Sequence, residues 1–447
     1  MASYTKNMTE GSELEHILRF TLPLLAGNLF QQLYNIVDSI IVGRYLGYNA
    51  LAAVGATGSI TYLFYTLCIG LSVGSGILIS QSFGAGKSHE VKKYISNSAY
   101  ASIAAGLIIS IASVLASGTL LNLMNTPESI YSDAHRYMQV ACAGTIAVAI
   151  YNWINSVMRS LGDSKTPLIF LIVASILNVA LDLLFVVVFQ AGVVGAALAT
   201  VIAQALSAAG CIVFSFLKAD YLKMSRDELK YDGIYFKKCI RTGVPIALQN
   251  SMISVSMVFL QRVANGFGDT VIAAYTATMR VEQLIQQPFS SLNAALSTFA
   301  GQNMGAGFID RTIKGYHKSL KAMAVFALVM LAVFAVFSRN IIGLFVTEES
   351  VIEIGSKALV LSSFFYIPLG TIHTTRGLLN GAGDVTYAMI NGFVEVIGRI
   401  GFALILVHIP SVGAWAVWGT TCLTWVLTAV MSLIRYKGGR WRSKVKV

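Results

Sequence analysis

Apolar runs of about 18 or more residues, broken by short polar stretches, recur from end to end of this chain; that length crosses a bilayer as an α-helix. Barrel strands do not fit it. The runs predict spans near 14–42, 50–82, 93–120, 131–160, 167–189 and 193–217. Beyond the polar stretch KADYLKMSRDELKYDGIYFKKCIR, further spans follow near 240–265, 271–303, 316–337, 351–380, 385–408 and 412–435. The expected fold is therefore an all-α integral membrane protein of twelve transmembrane helices in two six-helix lobes. The N-terminal lobe covers 1–217, a cytoplasmic linker 218–239, and the C-terminal lobe 240–447, ending in a basic tail.

Composition agrees with this pattern. Of 447 residues 55% are hydrophobic and only 12% charged, far from the balance of a soluble domain. The opening MASYTKNMTEGSELEHILRF lacks the basic region, apolar stretch and cleavage site of a signal peptide, so it is expected to remain. Five cysteines (Cys68, Cys142, Cys211, Cys239, Cys422) are scattered without metal-like spacing and read as small packing residues. The net charge of +11 does not imply nucleic acid, because the bases sit in short connections between apolar spans. Lys87, Lys92 and Lys93, then Arg159 and Lys165, the linker, Arg311, Lys314 and Lys318, and the tail all fall in alternate connections. The positive-inside rule places those connections and both termini in the cytoplasm, as an even number of spans requires.

The two halves repeat at an offset of 221 residues. It matches Gly47 to Gly268, Gln81 to Gln302, Gly84 to Gly305, and LGD at Gly162 and Asp163 to AGD at Gly383 and Asp384. With six spans each, the halves start on the same side, which implies a pseudo-two-fold axis along the membrane normal. Such pairs commonly enclose a substrate path.

Of the 21 acids, four stand well inside spans: Asp38, Asp182, Glu282 and Glu395. A charge at bilayer depth is expensive, so such residues face a cavity or a partner and often mark an ion or substrate route. Asn178 precedes Asp182 by one helical turn, which puts both on one face. With Asp38 they offer oxygen ligands to a hard cation such as Na+. Alternatively, two carboxyls in a poorly hydrated pocket let one carry a proton. Arg399 follows Glu395 at i, i+4, so a local pair explains both, whereas Glu282 and Arg280 are two residues apart and do not face each other. Prolines inside spans, Pro23, Pro245, Pro288 and Pro368, permit bending. The small residues of LSVGSGILIS read first as close helix packing. With no GxxxxGK[ST], HExxH or nucleophile elbow, neither a nucleotide-driven pump nor an enzyme is expected, and no cofactor beyond a coupling ion.

The stretches LPLLAGNLFQQLYNIVDSIIVGRYLG, LAAVGATGSI, QSFGAGK and MRSLGDSKTP, with their second-half counterparts, resemble the multidrug and toxic compound extrusion (MATE) transporters of bacteria over roughly residues 14–435. The resemblance implies two lobes around a cleft that alternate between inward-open and outward-open forms, exporting organic, often cationic, compounds against sodium or proton entry. It matches a cation or proton site to Asp38, Asn178, Asp182 and Thr200, which would also ligate Na+. Nearby polar positions of the same lobe match Gln31, Tyr137 and Asn155. The family's bending proline matches Pro23. The sodium-coupled branch carries acids in the seventh and tenth helices, where this chain offers Gln249, Asn250, Gln261, Tyr366 and His373. The offset takes Asp38 to Phe259 and Asp182 to Ala403, so the acidic pair is expected in the first lobe only. The expected partners are small-molecule drugs or toxic organic cations and the lipid bilayer of the bacterial cytoplasmic membrane, with the chain acting as a monomer. The rival reading is a flippase or exporter of a lipid-linked or polyanionic metabolite, which would need more bases in its cavity.

Overall fold

A chain crossing lipid must satisfy its backbone hydrogen bonds internally, and helices do so segment by segment. The computed structural model describes residues 6–445; the first and last few residues, with both expected cytoplasmic ends, lie outside the described residues. In order come α1 (Glu13–Leu46), α2 (Tyr48–Gly84), α3 (Ser88–Leu123), α4 (Glu128–Ala143), α5 (Thr145–Ser160) and α6 (Lys165–Asp182). After α6 a π-helical segment, Leu183–Val188, leads to α7 (Gly192–Lys218) and the short α8 (Arg226–Leu229). Then follow α9 (Gly233–Asn265), α10 (Asp269–Gly305), α11 (Ile309–Gly343), α12 (Glu349–Phe364), α13 (Tyr366–Gly381), α14 (Val385–Val407) and α15 (Ala416–Lys437). The described residues contain no strand.

Among the described residues, eight helices are long and apolar enough to cross a membrane, and two bent pairs, α4 with α5 and α12 with α13, add one span each. The remaining two, α1 and α10, are 34 and 37 residues long and carry polar residues at mid-length, Gln31 to Asp38 and Arg280 to Gln283, which lower their hydropathy. Twelve spans result. The repeat is also conformational: Gly47 and Gly268 have φ of 88° and 86°, and Gly162 and Gly383 have 87° and 86°, a region glycine enters without a Cβ penalty. The two bends repeat at the same offset, falling at Gly144 and Phe365.

Contacts divide the chain into two units. The first is Leu22–Ala247 with Lys6 and Asn7; the second is Met8–Thr21 with the chain from Leu248 onward. The contact units change over inside α1 and α9, close to Pro23 and Pro245. Packing explains both. In the first unit, α2 meets the first half of α9 through small residues one turn apart: a Cβ on Gly70 would lie 2.3 Å from Ala247 Cα, and one on Gly74 2.3 Å from Gly243 Cα. In the second unit, Met8 N–H donates to Gln302 Oε1 at 2.9 Å, Asn303 Nδ2 donates to Met8 O at 3.2 Å, and Lys318 Nζ pairs with Glu13 at 2.7 Å. Because the groups facing Gly74 are backbone, no rotamer change relieves a clash there. Gly74→Ala is expected to cost about 1–3 kcal/mol, the usual cost of overpacking, visible as a lowered Tm in detergent; an unchanged Tm would contradict the contact.

The linker is bound to α3 rather than free. Lys93 Nζ donates to Asp227 O at 2.7 Å, Tyr100 OH to Leu229 O at 2.6 Å, and Asp232 N–H to Asn97 Oδ1 at 2.8 Å. Ser225 and Glu228 form a capping box, and Lys92 pairs with Glu228 at 3.2 Å. The Ser225 backbone N–H, helped by Lys92, holds the Glu228 carboxyl below its ordinary value. A carboxyl depressed on folding stabilises its setting above its unfolded pKa and stops doing so as pH falls through the folded value. Protection against hydrogen exchange over 220–232, measured against the intrinsic rate at each pH, is therefore expected to fall below about pH 4. In Glu228→Gln that pH dependence should weaken, leaving what Asp220 and Asp227 contribute through Lys223 and Lys230.

Candidate functional site

Five helices of the first unit bring polar side chains together. From α1, Gln31, Tyr34 and Asp38 lie on one face, at spacings of three and four residues. From α6 come Asn178 and Asp182, from α7 Thr200 and Gln204, from α5 Tyr151 and Asn155, and from α4 Tyr137. The carboxyls of Asp38 and Asp182 stand within hydrogen-bonding reach of each other. Asp182 is fully buried, Asn178 is 2% exposed, and Asp38 and Thr200 are half-buried. With its amide nitrogen turned toward Asp182, Asn178 donates to Asp182 Oδ2 at 3.3 Å and accepts from Thr200 Oγ1 at 3.2 Å. Gln31 stands beside Tyr34, and Asn155 beside Tyr151.

The charge here is uncompensated. Among the described residues, no lysine or arginine forms an ion pair with Asp38 or Asp182. Four buried acceptor atoms, Asp38 Oδ1, Asp182 Oδ1, Asn155 Oδ1 and Gln204 Oε1, have no hydrogen-bond partner. An orphaned buried acceptor costs about 1–3 kcal/mol, so a set of them calls for a donor or a cation. Beside them lies a small pocket lined by Gln31, Tyr34, Tyr151, Asn178, Thr200 and Gln204, with Leu171, Ala174 and Ala203. Its tyrosine rings offer faces to a cationic group.

The backbone also departs from the α form here. The π-helical segment begins at the residue after Asp182, and π segments cluster at functional positions. Its repeat counterpart in α14 stays α-helical to Val407, so the irregularity accompanies the acidic pair and not the repeat.

The structure thus brings Asp38, Asn178, Asp182, Thr200, Gln31, Tyr137 and Asn155 into one unit. Tyr137 packs against the cluster of Ile41, Val42, Val186 and Val193 and feels both aspartates. Pro23 lies within an unbroken α1. Gln249, Asn250 and Glu282 belong to the other unit. There Gln249 is buried against Gly392, Asn250 accepts from Ser254 through its backbone carbonyl, and Glu282 stands beside Ser362. Tyr34, Tyr151 and Gln204 escape the sequence reading, although each lies four residues from Asp38, Asn155 or Thr200, one turn along the same face.

Comparison with known proteins places this geometry. The MatE family model matches the chain twice, over 23–184 and 245–405. "Probable multidrug resistance protein YpnP" of Bacillus subtilis (strain 168) is 29% identical, with 98% of each chain covered. "FAD transporter" of Shewanella oneidensis is 26% identical, with 81% of each covered. A solved structure titled "Crystal structure of MATE in the bent conformation" superposes with a TM-score of 0.91 at 25% identity, covering 98% of both chains. Two matches of one family model, set on the two repeats, make the chain a multi-pass membrane protein that belongs to the MatE family of efflux transporters.

Proposed function

We propose that this chain exports amphipathic or cationic small molecules, drugs or toxic organic cations, by alternating access in exchange for an entering proton or sodium ion. One observation carries the proposal: Asp38 and Asp182 face each other without a base, beside a pocket lined by tyrosines and amides. Asp38 and Asp182 are the coupling carboxyls, with Asn178 and Thr200 as neutral ligands for Na+ or as partners of the protonated form. Gln31, Tyr34, Tyr151, Asn155 and Gln204 contact the substrate. Tyr137 and Pro23 support the site, by packing on it and by letting α1 bend.

The physical logic is competition for negative charge. An entering cation neutralises the pair and weakens the hold on a cationic substrate, and by linkage the substrate weakens the hold on the ion equally. Basic connections favour both termini in the cytoplasm of a bacterial cell, and nothing in the first-unit site needs a second copy of the chain. A polyanion exporter, the activity that the name of the Shewanella relative suggests, is disfavoured because no lysine or arginine lines the pocket.

Equilibrium binding of a fluorescent cationic dye to purified protein tests this reading. Raising either Na+ or H+ should weaken dye binding by about 5–150-fold, the usual range of coupling between sites, and Asp182→Asn should abolish the effect. Dye affinity indifferent to both ions would overturn it.

A further inference from the structure

The second unit carries a buried ionic cluster at the repeat positions of the first-unit site. The offset of 221 takes Asn178 to Arg399, Asn155 to Arg376, Ala174 to Glu395 and Thr200 to Thr421. In the structure Arg399 is fully buried. Its Nη2 meets Glu395 Oε1 at 3.2 Å, and its Nη1 donates to Ser256. Arg376 Nη2 meets the other oxygen of the same carboxylate at 3.3 Å and donates to Asn391 Oδ1 at 2.9 Å. Glu282, beside Ser362, is close enough to Arg399 to feel its charge. Two carboxylates and two guanidiniums sum to zero.

The first unit is built the other way. Its asparagine and alanine leave Asp38 and Asp182 without any cationic side chain, so its balance must come from an exchangeable ion. We propose that Arg399 is a tethered cation: at the second unit's counterpart of the coupling site, its guanidinium does permanently what the entering ion does in the first unit. Exchangeable-cation binding is then confined to one site per chain. This inference rests on the reading of Asp38 and Asp182 as coupling carboxyls.

Charge arithmetic supports it. A carboxylate at this depth needs a counter-charge, and a covalently attached one meets that need without the ordering cost of capturing an ion. A guanidinium also stays charged under all physiological conditions, so the counter-charge that Arg399 gives Glu395 is not lost with pH. With the two units thus different, only the first responds to the gradient. Arg399 is accordingly a positioning residue: it touches neither ion nor substrate and fixes where the ion goes.

Ion counting on purified protein tests the inference, with 22Na+ binding and proton uptake as paired readouts. Wild type should hold one exchangeable ion per chain, lost in the Asp38→Asn, Asp182→Asn double variant. Arg399→Gln should gain a second ion, and adding Glu395→Gln should remove it. In Arg399→Gly, free guanidinium should suppress the extra ion by refilling the vacated place, a rescue that a purely structural role would not give. If Arg399→Gln does not fold, Arg376→Gln takes its place, since it also strips Glu395 of a guanidinium. A second ion in wild type that survives loss of both aspartates, or a folded arginine variant that binds no extra ion, would overturn the proposal. If instead the aspartate double variant keeps the wild-type count while Glu395→Gln lowers it, the first-unit reading fails separately.

Discussion

Asp38→Asn protein is expected to bind its substrate and yet fail to accumulate it against a gradient. The substitution keeps size and hydrogen-bonding capacity but removes the charge that makes the pair with Asp182 need a cation. Substrate affinity should then be insensitive to the coupling ion, so a coupling free energy of about 1–3 kcal/mol, about 5–150-fold in affinity, falls to zero and uphill export is lost. Energetically downhill movement through the same pocket should persist. Because Asp38 is half-buried on α1 and forms no ion pair, the variant is expected to fold and melt like wild type. An unfolded Asp38→Asn protein would show that the carboxylate serves the fold instead.

Arg399→Met should be strongly destabilising. It leaves Glu395, 6% exposed, with only the Arg376 guanidinium at 3.3 Å and deprives Ser256 of its donor. Removing one partner of a buried ion pair costs about 3–5 kcal/mol, mostly the penalty of the charge left behind. Combining it with Glu395→Leu should recover most of that loss, because an apolar pair of similar volume is often as stable as the ionic one. Thermal melts of the two variants side by side check this. If the single variant melts like wild type, the ionic cluster contributes nothing to the second unit.

Some of this molecule is legible in its sequence because the governing physics is local. Apolar runs give the spans, and one-turn spacing gives the face shared by Asn178 and Asp182 and the pair Glu395 with Arg399. Thr200 has no such local signal and enters only through the family resemblance. Arg376 carries no local signal either, because its partner Glu395 lies on another helix. The changes of contact unit inside α1 and α9 leave no local mark for the same reason: Gly70 and Gly74 fit against Ala247 and Gly243 only after distant segments meet. Nor does LLFVVV, an ordinary apolar stretch without proline or glycine, announce a π-helical turn next to Asp182. Tyr34, Tyr151 and Gln204 were within reach, since helical periodicity from the nominated residues leads to each of them.

The central claim is that the pair of Asp38 and Asp182 couples export to cation entry. Its most direct test is dye transport in vesicles holding the purified protein, with a sodium gradient and a pH gradient imposed separately. The result expected is uphill dye movement driven by one of the two gradients in wild type and by neither in Asp38→Asn. Dye accumulation that depends on neither gradient, or that continues at the wild-type rate in Asp38→Asn, would contradict it.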